Sequence, residues 1–283
     1  MSDVVVIPAW RRADFLALTL ERIAAARHSD EHHYFITLDR GFDPEVLAVA
    51  QAWKQKDVAV LARTSDHGYY GNSFNVLEGF RYALGQAARL GSRLIYTIEE
   101  DVWVAKDFFA FSRQVHDAFS PFAFSASVNQ PSTGTATETI RKPREPEKVY
   151  GHPFFQSYGA SFAPSAVVEI LKHATHDYYR DMGRYVVKSF PGTGERRWEQ
   201  DGLITRVIGA AGGETLYPYV PRAMHAGFHG YNRAGTPLKG TLDERIAKLR
   251  EMDQAAMNRA ASAIFDIEFC DFEGFEIDAV TRS

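Results

Sequence analysis

Arg93-Leu94-Ile95-Tyr96-Thr97-Ile98-Glu99-Glu100-Asp101-Val102 is the stretch on which the architecture turns. An apolar run stops abruptly in three consecutive carboxylates. A buried strand accounts for the apolar residues, and it must end where the charges begin, because unpaired carboxylates are costly to bury. Glu99, Glu100 and Asp101 are therefore expected at the carboxyl end of a strand. In open α/β sheets that edge is where ligands bind. Carboxylates clustered there suit a hard divalent cation, and through it a diphosphate. The plainer reading is a solvated strand end, with Asp107 capping the next helix.

Outward from this stretch, short apolar runs alternate with helical periodicities. Val4–Ile7 is β-branched, closes at Pro8 and reads as a first buried strand. Phe15, Leu16, Thr19, Leu20 and Ile23 then recur at helical spacing. Tyr34–Leu38 reads as a second strand ending at Asp39, Pro44–Lys54 as a helix and Val58–Ala62 as a third strand. A turn-rich loop, His67–Asn72, precedes a helix through Phe74, Leu77, Phe80, Arg81 and Leu84. After the carboxylates, Phe108, Phe109, Ser112 and Val115 fit a helix, and Phe122–Val128 a strand. The alternation predicts an α/β protein: a mostly parallel, twisted sheet with helices on both faces.

From Asn129 to Tyr150 the pattern dissolves into Ser, Thr, Gly, Pro and charge, and a long loop is expected. Further on, a strand is expected within Phe154–Phe162, helices near Pro164–His173 and Glu199–Gly209, and a strand near Thr215–Val220. A charged helix is expected from Leu242 to about Ala261.

Bulk composition narrows the function classes. A net charge of −4 over 283 residues gives no general reason to bind nucleic acid or anionic membrane. Cys270 is the only cysteine, so no intrachain disulfide forms. The N-terminus lacks the basic start and long apolar run of a signal peptide, and no stretch reaches the 18 or more apolar residues of a membrane span. A soluble, cytoplasmic chain is the simplest expectation.

Several residues fall at loop positions after successive strands. In Pro8-Ala9-Trp10-Arg11-Arg12, two arginines and an aromatic ring suit a base and a phosphate, or simply a helix entry with solvated arginines. Asp39 suits a ribose hydroxyl or base imide, or opens the Asp39-Arg40-Gly41 turn. The glycines of His67–Asn72 allow close backbone approach. No Gly-rich dinucleotide fingerprint follows the first strand and no P-loop motif occurs, so neither of those phosphate sites is present.

Strand, Pro-Ala-Trp-Arg-Arg, amphipathic helix, then strand-Asp resembles the opening of a GT-A glycosyltransferase. Three local matches resemble the family of the inverting N-acetylglucosaminyltransferase I of N-glycan synthesis. These are Phe80-Arg81-Tyr82-Ala83-Leu84; Glu99-Glu100-Asp101-Val102 with Ala105-Lys106-Asp107-Phe108-Phe109 after it; and Tyr150-Gly151-His152-Pro153-Phe154-Phe155 with Ser157-Tyr158-Gly159. The resemblance spans about Val4 to Tyr231 and is densest from Gly71 to Phe111. It implies one catalytic unit over residues 1–283. Residues 1–128 would form the nucleotide-sugar half, 129–240 the acceptor and catalytic half, and 241–283 a C-terminal helical extension.

The resemblance also implies roles. Pro8, Ala9, Trp10 and Arg12 would line the nucleotide, and Asp39 would bind uracil or ribose. Glu99 and Glu100 would help hold a UDP-sugar, and Asp101 would ligate a Mn²⁺ or Mg²⁺ ion bridging the diphosphate. Glu100 stands where the family usually has Asp, and a uridine-contacting His of the family falls near Gly79. His225 in His225-Ala226-Gly227 resembles a C-terminal His-Gly near the metal. Arg197-Trp198-Glu199-Gln200-Asp201 resembles the helix start that carries the family's catalytic base, with Asp201 the first choice and Glu199 its rival. A carboxylate at a helix N-terminus stays ionised and can deprotonate an acceptor hydroxyl; acids are also ordinary helix caps.

The expected activity is metal-dependent transfer of a hexosyl or N-acetylhexosaminyl group, with inversion. The expected acceptor is a cytoplasmic glycan, a lipid-linked saccharide or a hydroxymethylated DNA base, the last prompted by Arg141, Lys142, Arg144 and Lys148. The alternatives are a catalytically silent nucleotide-sugar-binding protein and a glycoside hydrolase with paired carboxylates.

Overall fold

Strand β1 (Val4–Ala9) is buried at all six positions, which is why its sequence is continuously apolar instead of alternating. β2 (His33–Leu38) and β4 (Ile95–Thr97) flank it in parallel, and β3 (Asp57–Ala62) continues the parallel set beyond β2. The computed structural model describes residues 2–55, 57–64, 71–127, 145–193, 197–230, 233–252, 256–257 and 270–283. Most of the His67–Asn72 loop, Arg141, Lys142, Arg144, Val128 and Tyr231 lie outside the described residues.

The second half of the chain completes the same sheet. It adds β6 (Ala123–Ser125), β7 (Lys148–His152), β8 (Ala160–Phe162), β9 (Thr215–Pro218) and β13 (Thr281–Arg282). Among the described residues the sheet's nine strands run in the order β13-β7-β9-β6-β8-β4-β1-β2-β3. The sheet is mostly parallel, as expected, but β8 runs antiparallel to both β4 and β6, and β7 antiparallel to β9.

Alternation along β1 sends side chains to two apolar layers. Val5 and Ile7 pack with α1 (Ala13–Ala25), α2 (Pro44–Ala52) and α4 (Phe108–Phe119) through Leu16, Leu20, Val46 and Phe109. Val4 and Val6 pack on the other face with α3 (Gly71–Leu90), α5 (Pro164–Leu171) and α8 (Gln200–Ala210), through Val76, Phe80, Val167 and Leu203. A smaller cluster around Phe15, Trp103, Met224, Phe228 and Leu249 joins α1 to a two-stranded sheet and to α9 (Leu242–Glu251). That sheet pairs β5 (Val102–Val104) with β10 (Ala223–His225), and a second short antiparallel pair joins β11 (His229–Gly230) to β12 (Arg233–Ala234). Among the described residues no helix is long and apolar enough to cross a membrane.

Several boundaries differ from expectation for physical reasons. The long loop expected up to Tyr150 contains β7 over its last residues. Its five residues hold a glycine and no clear alternation, and its pairing comes from β9 and β13. The strand expected across Phe154–Phe162 shrinks to Ala160–Phe162, because Gly159 takes φ +68 and breaks extended geometry. The short helices α6 (His176–Arg180) and α7 (Met182–Ser189) were not expected; Thr175 and Asp181 cap them by accepting from Tyr178 and Arg184 N–H. The helix expected to about Ala261 is described as Leu242–Glu251, started by a Thr241–Glu244 capping box; most of residues 252–269 lie outside the described set.

Candidate active site

β4 ends at Thr97, but its ladder continues: Ile98 N–H donates to Val6 C=O at 2.9 Å and Glu100 N–H to Pro8 C=O at 3.0 Å. The carboxylates are thus held against the end of β1, at the carboxyl edge of both strands. Glu100 and Asp101 are buried and must be compensated. Glu100 accepts from Trp10 N–H and from Arg12 Nε, each at 2.7 Å. Arg12 Nη1 also donates to Asp101 Oδ2 at 2.6 Å and to the His229 carbonyl at 3.2 Å. Burial alone would lower the Arg12 pKa; Asp101 and then Glu100 outweigh it and raise it. The expectation had Arg12 on the nucleotide. Here its partners are the two buried carboxylates.

His225 is placed by strand register. It pairs with Val102 in the β10–β5 ladder, which brings Nε2 to 3.1 Å from Asp101 Oδ2. Ala226 N–H donates to Asp101 C=O at 2.8 Å, and a Cβ at Gly227 would overlap the Asp101 carboxylate. The glycine of His225-Ala226-Gly227 is therefore a requirement of close approach. Asp101 and His225 are a fitting donor pair for a divalent cation. Among the described residues no group of three His, Cys, Asp or Glu side chains is arranged to hold one. The pair suits a cation completed by ligand oxygens and water, the mode common for Mg²⁺ at phosphates.

Glu99 points to the other side of the row. Ser157 Oγ donates to its Oε1 at 2.7 Å. Burial, then the charges of Asp101 and Asp201, push the Glu99 pKa up to about 8. Across Ser157 stands Asp201, in the first turn of α8. Burial raises it to about 6, against the lowering effects of Arg197 and Ser157. Glu99 is thus mostly protonated at neutral pH and Asp201 mostly ionised. Asp201 Oδ1 has no hydrogen-bond partner among the described residues.

The start of α8 is fixed from α3. Ser73 Oγ accepts from Gln200 N–H at 3.1 Å and donates to Gln200 Oε1 at 2.8 Å, both buried. Glu199 is the N-cap residue, but its side chain makes no capping bond. The rival carboxylates therefore differ: Asp201 is turned inward toward Ser157 and Glu99, and Glu199 sits at the helix entrance.

Asp39 lies at the end of β2, with its N–H on the Ala9 carbonyl. Its carboxylate accepts from Arg40 N–H at 2.6 Å and pairs with Arg63. Arg63 lies 4.6 Å over the Phe74 ring. Asp39 thus shapes the Asp39-Arg40-Gly41 turn, with Phe42 N–H on its carbonyl at 3.1 Å, directly after β2. Trp10 is 36% exposed, with Nε1 on the Arg40 carbonyl and the Arg11 guanidinium 4.2 Å over its ring. Pro8 and Ala9 supply backbone.

Ser157, Ser73 and Arg63 were not singled out by the sequence. Ser157 was quoted only within Ser157-Tyr158-Gly159, and a lone serine or arginine carries no signal until the fold gives it a neighbour.

No protein-family model matches the chain, and no curated protein matches it. Among solved structures the chain is similar to the galactosyltransferase LgtC in complex with donor and acceptor sugar analogs. The identity is 12%, over 75% of this chain and 72% of that one, with a TM-score of 0.45. An active-site mutant of LgtC gives 9% identity, the same coverage and 0.46. Residues 1 to 349 of S. aureus TarS give 13% identity over 77% of this chain and 60% of that one, at 0.47.

Proposed function

We propose that the chain is a nucleotide-sugar-dependent glycosyltransferase of GT-A type, using a UDP-sugar and inverting the anomeric centre. The observation that carries this reading is the pairing across Ser157. A carboxylate with a pKa of about 6 and a buried oxygen that has no hydrogen-bond partner among the described residues faces a buried carboxylate row at the ligand-binding edge of the sheet. The likeness of Glu99–Val102 and of the Asp201 helix start to the N-acetylglucosaminyltransferase I family supports it, without fixing whether the sugar is a hexose or an N-acetylhexosamine.

In this mechanism Asp201 takes the proton of an acceptor hydroxyl. The acceptor oxygen bonds to the anomeric carbon as the bond from that carbon to the diphosphate oxygen breaks. The electron pair departs with the nucleoside diphosphate. Asp39 and the Pro8–Trp10 backbone would orient the nucleoside, and Glu99 would hold a sugar hydroxyl. Asp101 and His225 would hold a Mn²⁺ or Mg²⁺ ion, which when bound neutralises the departing diphosphate. Arg12 keeps Glu100 and Asp101 compensated before the donor arrives.

A screen of UDP-sugars with Mn²⁺, scored by release of UDP, tests the reading. One or more sugars should be hydrolysed slowly, and faster with an acceptor present. Binding of UDP without consumption of any UDP-sugar would leave a silent nucleotide-sugar-binding protein. Failure to bind UDP at all would overturn the reading.

A further inference from the structure

Arg12 and a cation held by Asp101 and His225 would compete for the same oxygen atom. Asp101 Oδ2 accepts from Arg12 Nη1 at 2.6 Å and also lies 3.1 Å from His225 Nε2. The Asp101 side chain is 1% exposed and that of Arg12 21%, so Arg12 is the member of the pair that solvent reaches. An arginine stays charged at any ordinary pH, and it can release Asp101 only by moving. Two other acceptors keep it close when it does: Glu100 Oε1, 2.7 Å from Nε, and the His229 carbonyl, 3.2 Å from Nη1. Two glycines border the guanidinium. A Cβ at Gly227 would come to 2.6 Å from Nη1, and one at Gly230 to 3.4 Å.

We propose that Arg12 is an internal counter-ion that a divalent cation must displace from Asp101, so that cation and nucleoside diphosphate enter this site as a pair. The proposal rests on the cation role given to Asp101 and His225 and adds an order of binding to it. A guanidinium bonded to Oδ2 occupies the oxygen that faces His225. Two positive charges on one buried carboxylate repel each other strongly where water is excluded. A cation arriving alone therefore breaks the Arg12 bond and meets this repulsion, and binds weakly. A diphosphate arriving with it changes the balance. Phosphate oxygens are strong acceptors for a guanidinium, so the N–H group released from Asp101 gains a new partner. Glu100 keeps its hold on Nε and retains Arg12 at the carboxylate row. Asp101 is then compensated at every stage, first by Arg12 and afterwards by the cation.

Mn²⁺ binding to the full chain, followed by electron paramagnetic resonance with and without UDP, tests the proposal. In the wild type UDP should tighten Mn²⁺ binding about tenfold or more. In Arg12→Gln, Mn²⁺ alone should bind about tenfold more tightly than in the wild type, the scale of one charged hydrogen bond removed, and UDP should add correspondingly less. Arg12→Lys keeps the charge but lacks the fork that reaches both carboxylates, and should fall between the two. The proposal fails if folded Arg12→Gln binds Mn²⁺ no more tightly than the wild type, or if UDP enhances Mn²⁺ binding equally in both. If circular dichroism shows Arg12→Gln unfolded, Arg12→Lys decides: Mn²⁺ affinity no higher than in the wild type overturns the proposal. Mn²⁺ binding strengthened by Arg12→Gln in a protein that consumes no UDP-sugar would keep the counter-ion role and sink the transferase reading. Consumption of a UDP-sugar with no Mn²⁺ bound by any form would do the reverse.

Discussion

Asp201 combines three properties that suit a base: a helix N-terminus, a pKa raised by burial to about 6, and a buried carboxylate oxygen with no hydrogen-bond partner among the described residues. The first keeps it charged near neutral pH and the second makes that charge a usable base. Asp201→Asn preserves shape and removes the charge. It should keep UDP binding and lose transfer by about a hundredfold or more, the usual scale of general-base catalysis. Glu199→Gln is the matched control, and should change little. If Glu199→Gln abolishes transfer and Asp201→Asn does not, the two roles are reversed. The same assignment predicts a pH profile: a base of pKa about 6 is protonated below that value, so kcat should fall as pH drops through it. At the cation site, Asp101→Ala removes the carboxylate shared by His225 and Arg12. Calorimetry should then show loss of Mn²⁺-dependent UDP binding, with circular dichroism reporting that the chain is still folded. Undiminished Mn²⁺-dependent affinity would move the cation elsewhere.

Elements shorter than four residues carry much of the site, and they are what the sequence hid. The strand-end position of Glu99–Asp101 was legible because Leu94–Ile98 is continuously apolar and then stops. The place of His225 was suggested by the resemblance and was not legible from periodicity. It depends on β5 and β10, three residues each, whose antiparallel register sets His225 opposite Val102. Three residues show no periodicity, so only the packing of Trp103 and Met224 into the third cluster defines those strands. Asp201 was legible as an acid at a helix start, but the Ser73–Gln200 bond that aims the helix spans 127 residues of chain. The β5–β10 element makes its own prediction through Gly227. A methyl group there would overlap Asp101 Oδ2, with Arg12 Nη1 close behind. Both partners are tied to buried groups and cannot swing away cheaply. Gly227→Ala should therefore cost about 1–3 kcal/mol of stability and weaken cation-dependent UDP binding. Gly85→Ala, where the added methyl meets nothing within 4 Å, should do neither; chemical denaturation of the two variants makes the comparison.

At the scale of the whole molecule, the sheet gathers the titratable groups of the site at one edge. The carboxylates and Asp201 occupy the edge at the carboxyl ends of β1 and β4, and the helical layers close both faces. Beneath the helices of one face lie histidines that the fold keeps neutral. His32 is 1% exposed, with ring centroids 4.2 Å from Phe109 and 5.6 Å from Tyr96. Burial, and then the Arg113 charge, lower its pKa from 6.5 to about 3. His116, 8% exposed and 3.0 Å from Ser161 Oγ, is lowered by burial to about 4. Between pH 6.5 and 3 the unfolded chain therefore binds protons that the folded chain refuses. Stability rises with pH wherever the unfolded state holds more protons, so the contribution of these histidines is lost as pH falls below 6.5. For His32 alone the loss by pH 3 is roughly 1–4 kcal/mol. Replacing its ring with a group that does not titrate removes this slope, whatever the replacement does to packing. Urea unfolding of wild type and His32→Leu at pH 7 and pH 4 should show the variant losing less stability on acidification. Equal losses in the two proteins would assign the acid sensitivity to carboxylates that are ionised in the native state.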